Sequence, residues 1–148
     1  LSVNVGGATL SLAAALATLT KLQKKPVIKT VWDRGEKVVD GINTLIDKHG
    51  LQDVLSTCGK SCWSFLLFKD TAVCSQWELK TLFLQEVFAR GVLTLGSHNM
   101  SYAHCDDDIQ NLLSVYDAVF TILKDIVENG SLKKYLHCDP LVPLFKVR

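Results

Sequence analysis

The side chains of this sequence with the clearest chemical potential are five cysteines, four histidines and a run of three aspartates. Cys58 and Cys62, followed by His98, His104 and Cys105, supply the ligand types of a zinc site. A structural zinc centre takes two close pairs of ligands at compact spacings. The second pair here would be the adjacent His104 and Cys105, whose side chains would leave a strand on opposite faces. The expectation is no metal. Cys105 beside His104 also has the residue types of a thiolate nucleophile and its base, but such a pair needs a third group to orient the base. The sequence marks none, so the cysteines read as ordinary core or half-buried side chains. Asp106, Asp107 and Asp108 lack the spaced ligands, central Gly and terminal Glu of a calcium loop. Three acids opening a helix stabilise the positive end of its macrodipole instead. Gly6-Gly7 ahead of a helix could turn backbone N–H groups toward a phosphate. These spacings contain no complete catalytic constellation.

The 148 residues fit one modest domain, and a 48% apolar share gives it enough material for a core. Sixteen Lys and Arg against fifteen Asp and Glu leave a net charge of +1. That balance excludes a polybasic nucleic-acid binder, which concentrates positive charge against phosphate. An odd number of cysteines without a disulfide framework implies reduced thiols and an intracellular, most simply cytoplasmic, setting. Leu10 to Leu22 is the most membrane-like stretch, but it contains Ser11, Thr18, Thr20 and Lys21 and is too short to span a bilayer. Leu1 to Ala8 lacks the basic flank of a secretory signal. No membrane partner is expected. A first residue of Leu rather than Met suggests a fragment or a processed product.

The elements that must position these residues follow from periodicity. Ala8 to Leu22 reads as a helix apolar on nearly every side, the pattern of a helix buried against a larger body. Pro26 suits the first turn of a second helix, in which Val31, Val38, Ile42, Leu45 and Ile46 recur at helical spacing until His49-Gly50. Ser61 to Phe68 reads as a strand buried on both faces, with Trp63, Phe65 and Leu67 on one side and Ser64, Leu66 and Phe68 on the other. Trp77 to Arg90 is a third helix, Val92 to Leu95 a short strand and Ser101 to His104 another. Asp106 starts the last long helix, which ends at Asn129-Gly130. A tail carrying Pro140 and Pro143 then runs over the surface. This order predicts an α+β fold, a small antiparallel sheet with helices packed on it.

The string of residues carries a further signal. Val5-Gly6-Gly7-Ala8-Thr9-Leu10-Ser11-Leu12-Ala13-Ala14 resembles the Gly-Gly-Glu-Thr-Leu-Ser-x-Ala-Ala segment of class III pyridoxal-phosphate (PLP) aminotransferases. The members most similar are those like glutamate-1-semialdehyde 2,1-aminomutase. The likeness continues through Val31-Trp32-Asp33-Arg34-Gly35-Glu36-Lys37-Val38-Val39-Asp40-Gly41 and Ser61-Cys62-Trp63-Ser64-Phe65. It is strongest at Lys80 to Glu86, Arg90-Gly91-Val92-Leu93 and Ser101-Tyr102-Ala103-His104. Asp106 to Asp108 stand where the family carries His-Thr-x-x-Asp-Ile.

The resemblance implies the C-terminal portion of a fold-type I PLP enzyme. Residues 1–25 would be the last helical segment of an incomplete large PLP domain, and residues 26–148 the long interdomain helix with the C-terminal small domain. The family's Schiff-base lysine, its pyridine-nitrogen Asp and its ring-stacking aromatic all lie upstream of the matched segment. No catalytic residue is therefore expected in this chain, and PLP and a small-molecule amino donor would belong to the complete enzyme. Aligning on Gly6-Gly7 puts Val3 and Asn4 at the family's Gly-Thr, so Asn4 occupies the phosphate-binding Thr position, with an amide donor in place of a hydroxyl. Ala8 replaces the usual Glu. The implied partner is a second subunit of a homodimer or the missing large domain. The rival expectation is a non-catalytic remnant acting as an interaction domain.

Overall fold

The computed structural model describes residues 8–142. Helix α1 (Thr9–Lys24) leads through Lys25-Pro26 into α2 (Val27–His49). A hairpin of β1 (Leu55–Lys60) and β2 (Trp63–Phe68) follows, then α3 (Gln76–Ala89), β3 (Ser97–Asn99), α4 (Asp106–Asn129) and the short α5 (Leu132–Tyr135). The strands form one antiparallel sheet in the order β1-β2-β3, with Cys58 opposite Phe65 and Trp63 opposite Asn99. Among the described residues no helix is long and apolar enough to cross a membrane.

The helix boundaries have local causes. Gly50 and Gly130 take the left-handed conformation after α2 and α4, with φ of 69° and 63°. Ser75 caps α3 in a reciprocal box with Glu78. Asp108 closes the start of α4 by accepting from the backbone N–H of Cys105 at 2.8 Å. Lys37 of α2 reaches Asp106 at 2.7 Å, and His49 and Lys48 grip Asp117 of α4 at 2.6 and 2.7 Å. These ties set the two long helices side by side.

The core lies between α2, α3, α4 and one face of the sheet. Leu55, Leu66 and Phe68 meet Phe83, Tyr116, Phe120 and Ile42 there. Phe83 sits at the centre of an aromatic chain, 5.3 Å from Phe68 and 5.1 Å from Tyr116 between ring centroids. At such separations tilted and edge-on rings attract one another beyond simple burial.

Three expectations are corrected by this arrangement. The central strand begins at Trp63 and is buried on one face only: Ser64, Leu66 and Phe68 point into the core, while Trp63 is 57% exposed and Leu67 45%. Phe65 lies with them on the outer face, because side chains alternate along a strand. Its partner β1 went unforeseen. Val92 to Leu95 is a loop, and the strand that pairs with β2 is Ser97–Asn99 immediately after it. Ser101 to His104 is a turn, pinned where Arg34 donates to the Tyr102 carbonyl at 2.9 Å. The tail holds one short helix, and its backbone is tied to α3 by Gln85, which donates to Tyr135 and accepts from His137, each at 2.8 Å.

Candidate functional site

A cleft of about 530 Å³ lies between the 91–95 loop, β3 and the start of α4. Its walls include Val38, Leu93, Leu95, Ile109 and Leu112, and its polar groups include His98, His104, Asp108 and Asn111. The loop can take this course because Gly91 and Gly96 bracket it with φ of 82° and 80°, a region that side-chain-bearing residues avoid. Asp108 keeps its carboxyl below the ordinary range, chiefly because the Cys105 backbone N–H donates to it. The imidazole of His104 is engaged locally, with Nδ1 accepting from the Ser101 backbone N–H at 3.1 Å.

Behind the cleft is a buried polar network. His98 Nδ1 lies 3.1 Å from Ser64 Oγ, and Nε2 lies 2.8 Å from the Tyr116 hydroxyl. Either neutral tautomer satisfies both contacts, one ring nitrogen donating and the other accepting. Burial disfavours the imidazolium and pushes the His98 pKa down to about 4, and it pushes the Tyr116 phenol up. All three side chains are buried and hydrogen-bonded, so they fix β2, β3 and α4 together.

The network makes stability depend on pH in a definite direction. In the unfolded chain His98 takes up a proton near its ordinary pKa of 6.5, whereas in the fold it resists until about 4. Its contribution is complete above pH 6.5 and is lost as pH falls through the interval down to 4. The loss is about 1.4 kcal/mol per pH unit, roughly 3 kcal/mol in all. Carboxylates held low, such as Asp106 and Asp117, act at more acidic values, where their native partners must be released. Urea unfolding at stepped pH is expected to show this slope in the native protein and to lose it in His98→Gln.

The residues singled out by sequence are not brought together. Cys58 is exposed on β1, Cys62 is in the hairpin turn and Cys105 is the exposed cap of α4. His98 is buried at the back of the cleft and His104 lines it as well. Among the described residues no three His, Cys, Asp or Glu side chains gather as a metal site would require. Asn4 and Gly6-Gly7 lie outside the described residues. Sequence reasoning passed over the Ser64–His98–Tyr116 network. The available signal was Ser64, a lone hydroxyl on the same strand face as Leu66 and Phe68, which demands a buried partner.

No protein-family model matches the chain. A solved structure does. The FumI protein of Sphingopyxis sp. MTA144, in its PLP internal aldimine form, is similar to this chain with a TM-score of 0.65 and 26% identity. The match covers 77% of this chain and 27% of FumI, so the chain spans about a quarter of that protein's length. The similarity is to a PLP protein.

The described residues do not themselves fit a PLP site. An imine to the cofactor needs a lysine inside a pocket that excludes water. None of the described lysines is buried and none lines the cleft. Several are committed to surface pairs, including Lys29 with Asp33 and Lys37 with Asp106. FumI carries the aldimine in that structure, and among the described residues of this chain no lysine is buried in a pocket where one could form.

Proposed function

We propose that this chain is the C-terminal small-domain portion of a PLP-dependent aminotransferase or aminomutase acting on an amino acid or amino-aldehyde. The observation that carries the reading is the similarity to FumI, which spans most of this chain and about a quarter of that one. Support comes from the ordered likeness of Gly35, Gly41, Arg90-Gly91 and the Asp106–Asp108 start of α4 to the class III pattern. In this reading residues 1–25 belong to the large cofactor domain, and residues 26–148 are the connecting helix and the small domain. PLP would supply the electron sink of the complete enzyme. The role of this segment is positional: the His98 network and the α2–α4 ties hold a rigid body that helps close an active site built elsewhere.

The reading predicts that the isolated chain forms no stoichiometric aldimine. Titration with pyridoxal 5'-phosphate, gel filtration and borohydride reduction should leave only scattered, substoichiometric labelling of surface lysines. A one-to-one visible band that shifts with an amino donor and reduces onto a single lysine would overturn it. The observation behind the second reading, an interaction domain without chemistry, is the bare apolar surface of α1. The two readings separate on whether a cofactor-bearing polypeptide accompanies this segment in the cell.

A further inference from the structure

At about 530 Å³ the cleft between the 91–95 loop, β3 and the start of α4 falls within the size range of small-molecule sites. Its walls are aliphatic. Leu93 and Leu95 stand on the loop side, 89% and 68% exposed, and Val38, Ile109 and Leu112 line the rest. The loop is held open at both ends. Val92 donates its N–H to the Val87 carbonyl at 3.2 Å, and the Gly96 carbonyl accepts from the Leu66 N–H at 2.7 Å. Leucines fixed in water beside other aliphatic side chains favour an apolar chain that displaces that water.

The charge lining the cleft has one sign. No Lys or Arg lines it, and Asp108 is the carboxylate among its lining residues. Asp108 spends Oδ2 on the Cys105 backbone N–H at 2.8 Å, and an ionised carboxylate can accept further bonds. The cations nearest in the fold have partners of their own. Lys37 pairs with Asp106 at 2.7 Å, and Arg34 donates to the Tyr102 carbonyl at 2.9 Å. His98, at the back, stays neutral down to about pH 4 because burial disfavours its imidazolium. A bound anion would therefore meet Asp108 with no lysine or arginine in the wall to offset it. A bound cation would meet a carboxylate beside an aliphatic wall.

We propose that this cleft binds an aliphatic primary amine in its ammonium form, with the chain between the 91–95 loop and α4 and the charged end at Asp108. Each half of such a ligand answers one feature of the site. The chain covers the exposed leucines, and the ammonium pairs with the carboxylate. The cleft is built wholly from residues of this chain, so the proposal does not depend on the PLP reading.

Amide and methyl NMR of the chain during titration with octylammonium, 1-octanol and octanoate tests it. Octylammonium should bind saturably and shift residues 91–95, His104, Ile109 and Leu112. Octanoate has the same chain and the opposite charge, and should bind about tenfold more weakly or worse. Asp108→Asn keeps an oxygen for the Cys105 N–H and removes the charge. It should weaken octylammonium about threefold to fivefold, the size of an exposed ion pair, and bring it toward octanol. Leu112→Lys, on the half-buried wall, should reverse the preference in favour of octanoate and leave the thermal transition in place. Equal binding of octanoate and octylammonium would overturn the proposal. So would an unchanged affinity in Asp108→Asn, shifts spread over the leucines of α1 and the outer face of β2, or the lack of any saturable binding.

Discussion

Alanine at Gly35 is expected to lower stability by about 3 kcal/mol, at the upper end of ordinary overpacking costs. The cause is one point of contact between α2 and the hairpin. A Cβ at this position would lie 2.0 Å from the carbonyl oxygen of Ser61 and 2.8 Å from the backbone nitrogen of Cys62. These are main-chain atoms of a tight turn and cannot rotate aside. Relief requires α2 to withdraw, and Val38 and Ile42 on the next turns would leave the core with it. Gly41 provides the contrast. Its Cβ would meet the tip of Leu113 at 2.5 Å, a side chain free to change rotamer, and alanine also favours the helix by about 1 kcal/mol over glycine. Gly41→Ala should therefore cost less than about 1 kcal/mol. Urea denaturation of the two variants checks the pair, and a small effect at Gly35 would mean that α2 does not seat on the hairpin.

Tyr116→Ala should be at least as damaging, with a loss of about 4–5 kcal/mol. The ring is wholly buried between Phe83, Phe120 and His98, so truncation opens a cavity that surrounding helices can only partly close. It also strips Nε2 of His98 of its partner in a dry environment. Tyr116→Phe separates the two contributions: it keeps the volume and removes only the hydroxyl, for a cost of about 1–3 kcal/mol. Thermal or urea unfolding of both variants gives the ratio. If the phenylalanine variant were as unstable as the alanine one, the hydrogen bond rather than the ring packing would be the centre of this core.

The long helices were legible because their apolar residues repeat at helical spacing and their ends carry glycines able to turn left-handed. The strands were harder. Leu55 to Lys60 has the small polar run Ser56-Thr57-Cys58-Gly59 and shows no apolar alternation, yet it pairs along the whole of β2. Val92 to Leu95 has the better strand composition, but Gly91 and Gly96 hold it as a loop, and register gives the pairing to Ser97, His98 and Asn99. Tertiary context decides strand formation more than propensity does. Both faces of β2 are apolar, so burial on each was the natural expectation; only three-dimensional packing leaves Trp63 and Leu67 outside. In the candidate site, the separate ligand types were visible but their scatter over β1, the hairpin turn, β3 and α4 was not. The likeness to PLP enzymes was legible as an ordered string, which periodicity alone does not carry.

The most direct test of the central proposal is to sequence the native transcript through and upstream of the codon for Leu1. A small-domain segment of a PLP enzyme predicts a continuous reading frame that encodes a much larger upstream part, including a lysine after a short apolar strand. The corresponding full-length protein should show the visible absorption of a lysine-bound aldimine. An initiation codon directly before Leu1, preceded by in-frame stops, would contradict the enzyme reading and leave this α+β unit as a binding domain in its own right.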